Sequence, residues 1–251
     1  MNYSYTYDVA GNPTSYYNGT RWTFTWGNGR RLERATNGTT TVDFNYSADG
    51  TRTTKVVGGV THTSYHSGGK LLRETYGSTV LDFFYDANGT PIAMKQNGAV
   101  YYYITNLQGD VVRLVNSQGN TAAWYKYDPY GNATTASGSH ATINPLRYRD
   151  YYYDTETGLY YISSRYYDPA IGRWINADAY ASTGQGILGN NMFAYCLNSP
   201  VSRVDMNGNI SEEAAKEKIK EKREEILAAA EEFDVDPVAI ACCIYAEQVL
   251  N

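Results

Sequence analysis

The chain has 251 residues and a net charge of −5, and 42% of it is hydrophobic. Taking the 26 Tyr out of that 42% of 251 leaves about 32%, with Leu, Ile and Val too sparse for a dense helical core. With 23 Gly to supply turns, the composition favours half-buried β-structure and argues against a conventional α/β enzyme.

The opening Met1-Asn-Tyr-Ser-Tyr-Thr-Tyr-Asp8 has neither the basic start nor the apolar run of a signal peptide, and no stretch approaches the length of a membrane-spanning helix. Residues 209–251 carry eleven Asp and Glu against five Lys and Arg, which is −6, so residues 1–208 carry +1. Neither part has the basic stripe that gripping phosphates requires, and no nucleic-acid contact is expected through this portion. Cys196, Cys242 and Cys243 give no disulfide framework and no metal spacing. No glycine-rich phosphate loop is present, His62, His66 and His140 show no ligand partners, and His62 and His66 read as a pair of surface histidines, so no cofactor or metal is expected.

From the N-terminus, Gly11, Gly29, Gly50, Gly69, Gly89, Gly109 and Gly131 follow one another at 18, 21, 19, 20, 20 and 22 residues. Gly19, Gly38, Gly58, Gly77, Gly98 and Gly119 fall near the midpoints, so a turn recurs roughly every ten residues, the spacing of successive hairpins. The intervening segments, such as Trp22-Thr-Phe-Thr-Trp26 and Val80-Leu-Asp-Phe-Phe-Tyr85, mix aromatic and β-branched residues with partial alternation. Asn18-Gly19, Asn37-Gly38 and Asn97-Gly98 predict turns with positive φ at both central positions. One turn class is fuller: Tyr7-Asp8, Tyr85-Asp86 and Tyr127-Asp128 each stand three residues before a Gly. Its Tyr is expected to close the strand, its Asp to accept turn amides and its Gly to take the left-handed position.

Tyrosine-aspartate turns at this period resemble the YD repeat of the RHS family. The match is more specific over Arg147-Tyr-Arg-Asp-Tyr151, Arg165-Tyr-Tyr-Asp-Pro169 and Gly172-Arg-Trp-Ile-Asn-Ala-Asp178, then Asn191-Met-Phe-Ala-Tyr-Cys-Leu-Asn-Ser-Pro200 and Val204-Asp-Met-Asn-Gly208, which resemble the RHS repeat-associated core. The resemblance implies a mainly β fold: a β-hairpin meander or spiral shell over residues 1–146, closed by a core at 147–208, with a short α-helical segment at 209–251. It implies a secreted or cell-surface bacterial toxin that encloses a C-terminal effector and cuts the chain just beyond the core. Asp178 and Asp205 match the paired carboxylates of that family and Arg165 its positioning arginine. Two carboxyls suit the chemistry because neighbours cannot both ionise, leaving one as acid while the other activates water. The plain alternative is that Asp178 and Asp205 are turn aspartates and that Arg165 pairs with Asp168. The chain departs from the family pattern at Met206, where Pro is usual, and at Asp150, where Gly is usual. Its repeats are few for a shell, so further shell is expected before residue 1. The implied partners are that shell, the C-terminal toxin, an immunity protein and secretion machinery.

After Gly208, Ser211 as N-cap and Glu212 and Glu213 in the first turn predict a helix to Phe233, with Ile219, Ile226, Ala230 and Phe233 on one stripe. Asp236-Pro237 starts a second, largely apolar helix. This tail resembles the opening of a lysozyme-like or lytic-transglycosylase domain, which would make Glu247 a general acid; otherwise Glu247 is a helix-end carboxylate. The competing reading of the whole chain is an aromatic-repeat module that binds carbohydrate or choline without catalysis.

Overall fold

The computed structural model describes residues 5–28, 30–163, 165–176, 191–203, 205, 223–233 and 237. The chain divides into two compact units, residues 1–176 and 177–251. The first unit holds a 14-stranded antiparallel sheet in which every strand pairs with its neighbours in sequence. Its strands are β1 (Thr6–Tyr7), β2 (Pro13–Tyr17), β3 (Arg21–Gly27), β4 (Arg31–Thr36), β5 (Thr41–Tyr46), β6 (Arg52–Val57) and β7 (Val60–Ser67). The meander continues with β8 (Lys70–Tyr76), β9 (Thr79–Tyr85), β10 (Pro91–Gln96), β11 (Ala99–Thr105), β12 (Val111–Asn116), β13 (Thr121–Tyr127) and β14 (Ala133–Ser137). A second, 4-stranded sheet follows: β15 (Tyr152–Asp154), β16 (Leu159–Ile162), β17 (Arg165–Asp168) and β18 (Arg173–Trp174).

The turn signature does what its residues suggest. Asp8 Oδ1 accepts the amide hydrogens of Ala10 and Asn12, both at 2.9 Å, and Asp86 and Asp128 repeat the pattern. Asn106 does the same without a charge, which makes the acceptor oxygen, not the carboxylate, the requirement. Gly11, Gly89, Gly109 and Gly131 close these turns at φ between 80° and 86°. The Asn-Gly expectation holds fully only at Asn97-Gly98, with φ of 47° and 97°. At Asn37-Gly38 only the glycine is left-handed, because the Asn37 side chain instead accepts the Thr39 and Thr40 amides at 3.0 and 2.7 Å.

At the fuller turns the incoming and outgoing strands are unequal. Thr14, Glu33, Thr53, Leu72, Ile92, Val112 and Thr134 are each passed over in the pairing, so the register shifts at every second hairpin. Such bulges bend and twist the strand that carries them. An aromatic residue braces four of the seven: Tyr46, Tyr85 and Tyr127 each donate a hydroxyl hydrogen at 2.8 Å to the carbonyl of Leu32, Leu71 and Val111, and Trp26 donates to Pro13 at 2.7 Å.

One face of the meander is apolar and covered. Trp22, Phe24, Leu32, Ala35, Val42 and Phe44 pack with Leu159, Tyr161 and Tyr166 of the small sheet and with Ile175 just after it. Further along, Leu81, Phe83, Met94, Tyr103, Leu114 and Tyr125 pack with Ala141 and Leu146. The core as far as Asn176 is therefore folded into the same unit as the meander. Asp150, where the family pattern has Gly, sits at φ 58° beside Arg149 at 54°. A left-handed backbone explains why glycine suits the position.

In the second unit, Tyr195–Asn198 form a short 3-10 turn with Tyr195 fully buried. The Asn191 side chain accepts the Phe193 amide at 3.2 Å just before it. Helix α1 spans Arg223–Phe233, with Ile226 and Ala230 buried and Arg223 exposed, as the stripe predicts. The expected helical residues 211–222, and all of the second expected helix but Pro237, lie outside the described residues.

Candidate functional site

Between the two apolar clusters, the covered face of the meander turns charged. Arg52 and Lys55 of β6 are 3% and 5% exposed. The Arg52 guanidinium donates to Asp154 Oδ2 of β15 at 2.6 Å, and its backbone amide donates to the Tyr161 hydroxyl at 3.0 Å. Lys55 stands 3.1 Å from Asp154 Oδ1 and 2.9 Å from Glu156; the first contact is an ion pair without a well-directed hydrogen bond. Aromatic rings enclose the cation, with the Arg52 guanidinium 4.3 Å from the Tyr161 ring centre and 4.7 Å from that of Tyr152. Burial alone would raise the Asp154 pKa, but Arg52 and Lys55 outweigh it and hold the carboxyl below its usual range. Burial likewise opposes the Arg52 charge, and Asp154 overcomes it. This cluster is the polar key that fits the core to the sheet.

Beside it, His62 Nδ1 lies 2.7 Å from Glu74 Oε1, the imidazole stacks on Tyr76 at 4.1 Å, and the Tyr152 hydroxyl donates to Glu74 at 2.9 Å. His62 is thus not the surface residue expected from sequence; its side chain is 16% exposed because β7 carries it on the covered face. His66 is also half-buried, and burial and the nearby Arg52 charge push its pKa down. A cavity of about 320 Å³ opens against Lys55, His62, Glu74, Tyr152 and Glu156. The larger hollow, about 620 Å³, lies along β3–β5 against Arg31, Arg34 and Asp43 and shares no residue with this cluster. Among the described residues, no group of His, Cys, Asp and Glu is arranged to hold a metal ion.

Of the residues matched to self-cleavage, Arg165 and Asp205 are described, in separate units, and both are buried, at 5% and 4% exposure. Asp178 and Glu247 lie outside the described residues. The Arg165 guanidinium lies 3.9 Å over the Trp174 ring. Trp174 meets Tyr167 edge-on at 5.7 Å, and Tyr167 stacks on Tyr160. The Tyr167 and Tyr160 hydroxyls donate to the Tyr130 and Gly131 carbonyls in the last YD turn, at 2.6 and 3.0 Å. An aromatic ladder anchored in the meander therefore sets the place of Arg165. Asp168, three residues along the same strand, projects from the opposite face and accepts hydrogen bonds from the Tyr16 hydroxyl at 2.8 Å and the Ala170 amide at 2.7 Å. Burial pushes its pKa up.

Sequence reasoning missed Arg52, Asp154 and Trp174. Arg52 and Lys55, three apart in a strand that otherwise reads as polar, share the covered face only because the bulge at Thr53 shifts the alternation, and nothing local marks them as buried. Their only sequence signal is two basic residues at positions that are apolar in most other repeats, such as Leu32 and Ala35 or Val111 and Leu114.

An antiparallel meander with a bulge at every second hairpin, four of them braced by an aromatic side chain, its covered face keyed to an aromatic core, defines a β-shell segment. Residues 74–195 match the teneurin YD-shell family model, so that stretch, just under half of the chain, is similar to the YD-repeat shells of the RHS type. The chain is 40% identical over 119 residues, 47% of its length, to the tRNA3(Ser)-specific nuclease WapA of Bacillus spizizenii. It is 40% identical over 87 residues, 35% of its length, to the double-stranded DNA deaminase toxin A of Burkholderia cenocepacia. These matches span only 5% and 6% of the two relatives. The crystal structure of TcdB2-TccC3-TEV superposes with a TM-score of 0.65 over 80% of this chain and 11% of that one, at 22% identity, so the likeness there is of fold. The names of these relatives point to nucleic-acid chemistry and give no support to the lysozyme-like reading of the tail. The binding-module reading also loses ground, because the repeat aromatics brace bulges and build the core instead of presenting a row of free ring faces.

Proposed function

We propose that this chain is the shell-closing portion of a secreted bacterial polymorphic toxin, whose core cuts the peptide chain just beyond itself and so separates a C-terminal effector from the shell. Asp178 and Asp205 are the paired carboxylates, one an acid and one a base toward water, and Arg165 positions them. The observation that carries this reading is Arg165 itself. A guanidinium at 5% exposure, held over Trp174 by a ladder tied to the last YD turn, is costly to bury and is fixed in place before any reaction. Tethering makes modest machinery sufficient, since the bond to be cut is always near and one turnover is enough. The effector acts on nucleic acid, in keeping with the names of the relatives, and the further partners are an immunity protein and the secretion apparatus.

The test is the intact mass of freshly purified, denatured protein beside an Asp205→Asn variant. Two fragments meeting near residues 208–210 in the parent alone are expected. A single full-length mass in both proteins would overturn self-cleavage and leave a shell without it.

A further inference from the structure

On the side away from the core, the two halves of the meander present different surfaces. Register fixes which side chains share that uncovered face, since residues directly opposite one another, and those two apart along a strand, point the same way. From β3 to the start of β7 the face is mostly polar, with Thr25 in one row with Arg34 and Asp43, and Asn45 in the next with Thr54 and Thr63. On β9–β13 it turns apolar: Phe84 stands in a row with Ala93 and Tyr102, and Ile104 in a row with Arg113 and Trp124. Phe84, Tyr102 and Ile104, with Tyr65 of β7 and the bulge residues Leu72 and Ile92, are between 43% and 52% exposed. Large apolar side chains gathered on one face go beyond the scatter of an ordinary surface. The charges among them are mostly positive. Arg73, Lys95, Arg113 and Lys126 share the face with the acid Asp82, which Arg73 and Lys95 already meet at 2.6 and 3.4 Å. Lys126 lies over the Trp124 ring at 4.9 Å. This surplus of cations stands on a chain whose net charge is −5.

We propose that the uncovered face of β8–β13 docks on the surface of an anionic lipid bilayer, with Phe84, Tyr102 and Ile104 entering the headgroup boundary and Lys95 and Arg113 meeting lipid phosphates. This interaction is independent of self-cleavage. The surplus of cations calls for an anionic partner and disfavours a second copy of the chain, which would set like charges against one another. Nucleic acid would stack on the rings, but the aliphatic Leu72, Ile92 and Ile104 between them offer no ring face to a base. A bilayer boundary takes both kinds of side chain: the aliphatic groups reach the acyl chains, the tyrosines keep their hydroxyls at headgroup level, and the lysines and arginines add attraction to anionic lipid. Neither cavity described above includes a residue of this apolar face, which presents a surface and no recess for an inserted peptide.

The test is co-sedimentation of the full chain with vesicles of phosphatidylcholine alone and of an equal mixture with phosphatidylglycerol, for the parent and three double variants, each checked for folding by its thermal melt. The parent should bind the mixed vesicles only, and less as salt is raised. Lys95→Gln with Arg113→Gln, which leaves Asp82 its Arg73 partner, should weaken binding about 30-fold. Phe84→Thr with Ile104→Thr keeps every charge and should weaken it about 10-fold. Arg21→Gln with Arg34→Gln removes the same charge from β3 and β4 and should leave binding near the parental value. No sedimentation with the mixed vesicles overturns the proposal, and so does equal weakening in all three variants. Binding of a single-stranded oligonucleotide in place of vesicles, lost in the same variants, would overturn it in favour of nucleic acid. A dimer in solution that Phe84→Thr with Ile104→Thr dissolves would overturn it in favour of a second copy.

Discussion

The Tyr85 hydroxyl donates to the Leu71 carbonyl at 2.8 Å, and Leu71 is the residue that leads into the bulge at Leu72. A bulge leaves ladder groups unpaired, and the YD tyrosine supplies the missing donor from the adjacent strand. The tyrosine of the repeat is thus tied to the irregularity of the repeat. Tyr85→Phe should cost about 1 kcal/mol, measured by urea unfolding. Tyr102→Phe, on a ring that is 47% exposed, should stay within about 0.5 kcal/mol of the parent.

Asp154 stands between two buried cations, so Asp154→Asn strands Arg52, while Lys55 keeps Glu156, and should destabilise the first unit by about 3–5 kcal/mol. Replacing the pair together, Arg52→Met with Asp154→Leu, should regain much of that loss, because desolvation offsets most of the attraction between buried charges. Because the Asp154 pKa is lowered on folding, its contribution is present above the unfolded value of 3.8 and lost as pH falls through the folded one. Acid unfolding should accordingly be shallower in the double variant. Urea midpoints at pH 7 and below pH 4 measure both effects.

His66 bears on a different pH range. Its pKa is lowered from 6.5 by burial and by Arg52, so below 6.5 the unfolded chain gains a proton that the folded chain resists. Stability should fall as pH drops from 6.5, and His66→Gln should flatten that fall. Urea midpoints at pH 7.5 and 5.5 decide it, and equal losses in parent and variant would remove His66 from the account.

Gly138 and Gly98 both sit at positive φ, 104° and 97°, but only Gly138 is crowded. A Cβ there would fall 2.4 Å from the Ala122 carbonyl oxygen, whereas Gly98 faces open space. Gly98→Ala should cost about 1–2 kcal/mol from backbone strain alone. Gly138→Ala should cost clearly more, because the atom in the way is backbone. Thermal melts of the two variants give the comparison.

The twenty-residue period, the hairpin order and the Asp and Gly of each YD turn were legible in the sequence because they depend on local rules, such as an acceptor oxygen, a left-handed glycine and alternation along a strand. The stripe of Ile226 and Ala230 was legible for the same reason. Tertiary structure alone decided which charges are buried, since Arg52 meets Asp154 across 102 residues and no window of sequence shows that partnership. It moved His62 from the surface to the covered face, and it placed Asn37 in a side-chain turn where a positive φ was expected. It also set Arg165 over Trp174, because position on a docked sheet is fixed by what packs against it.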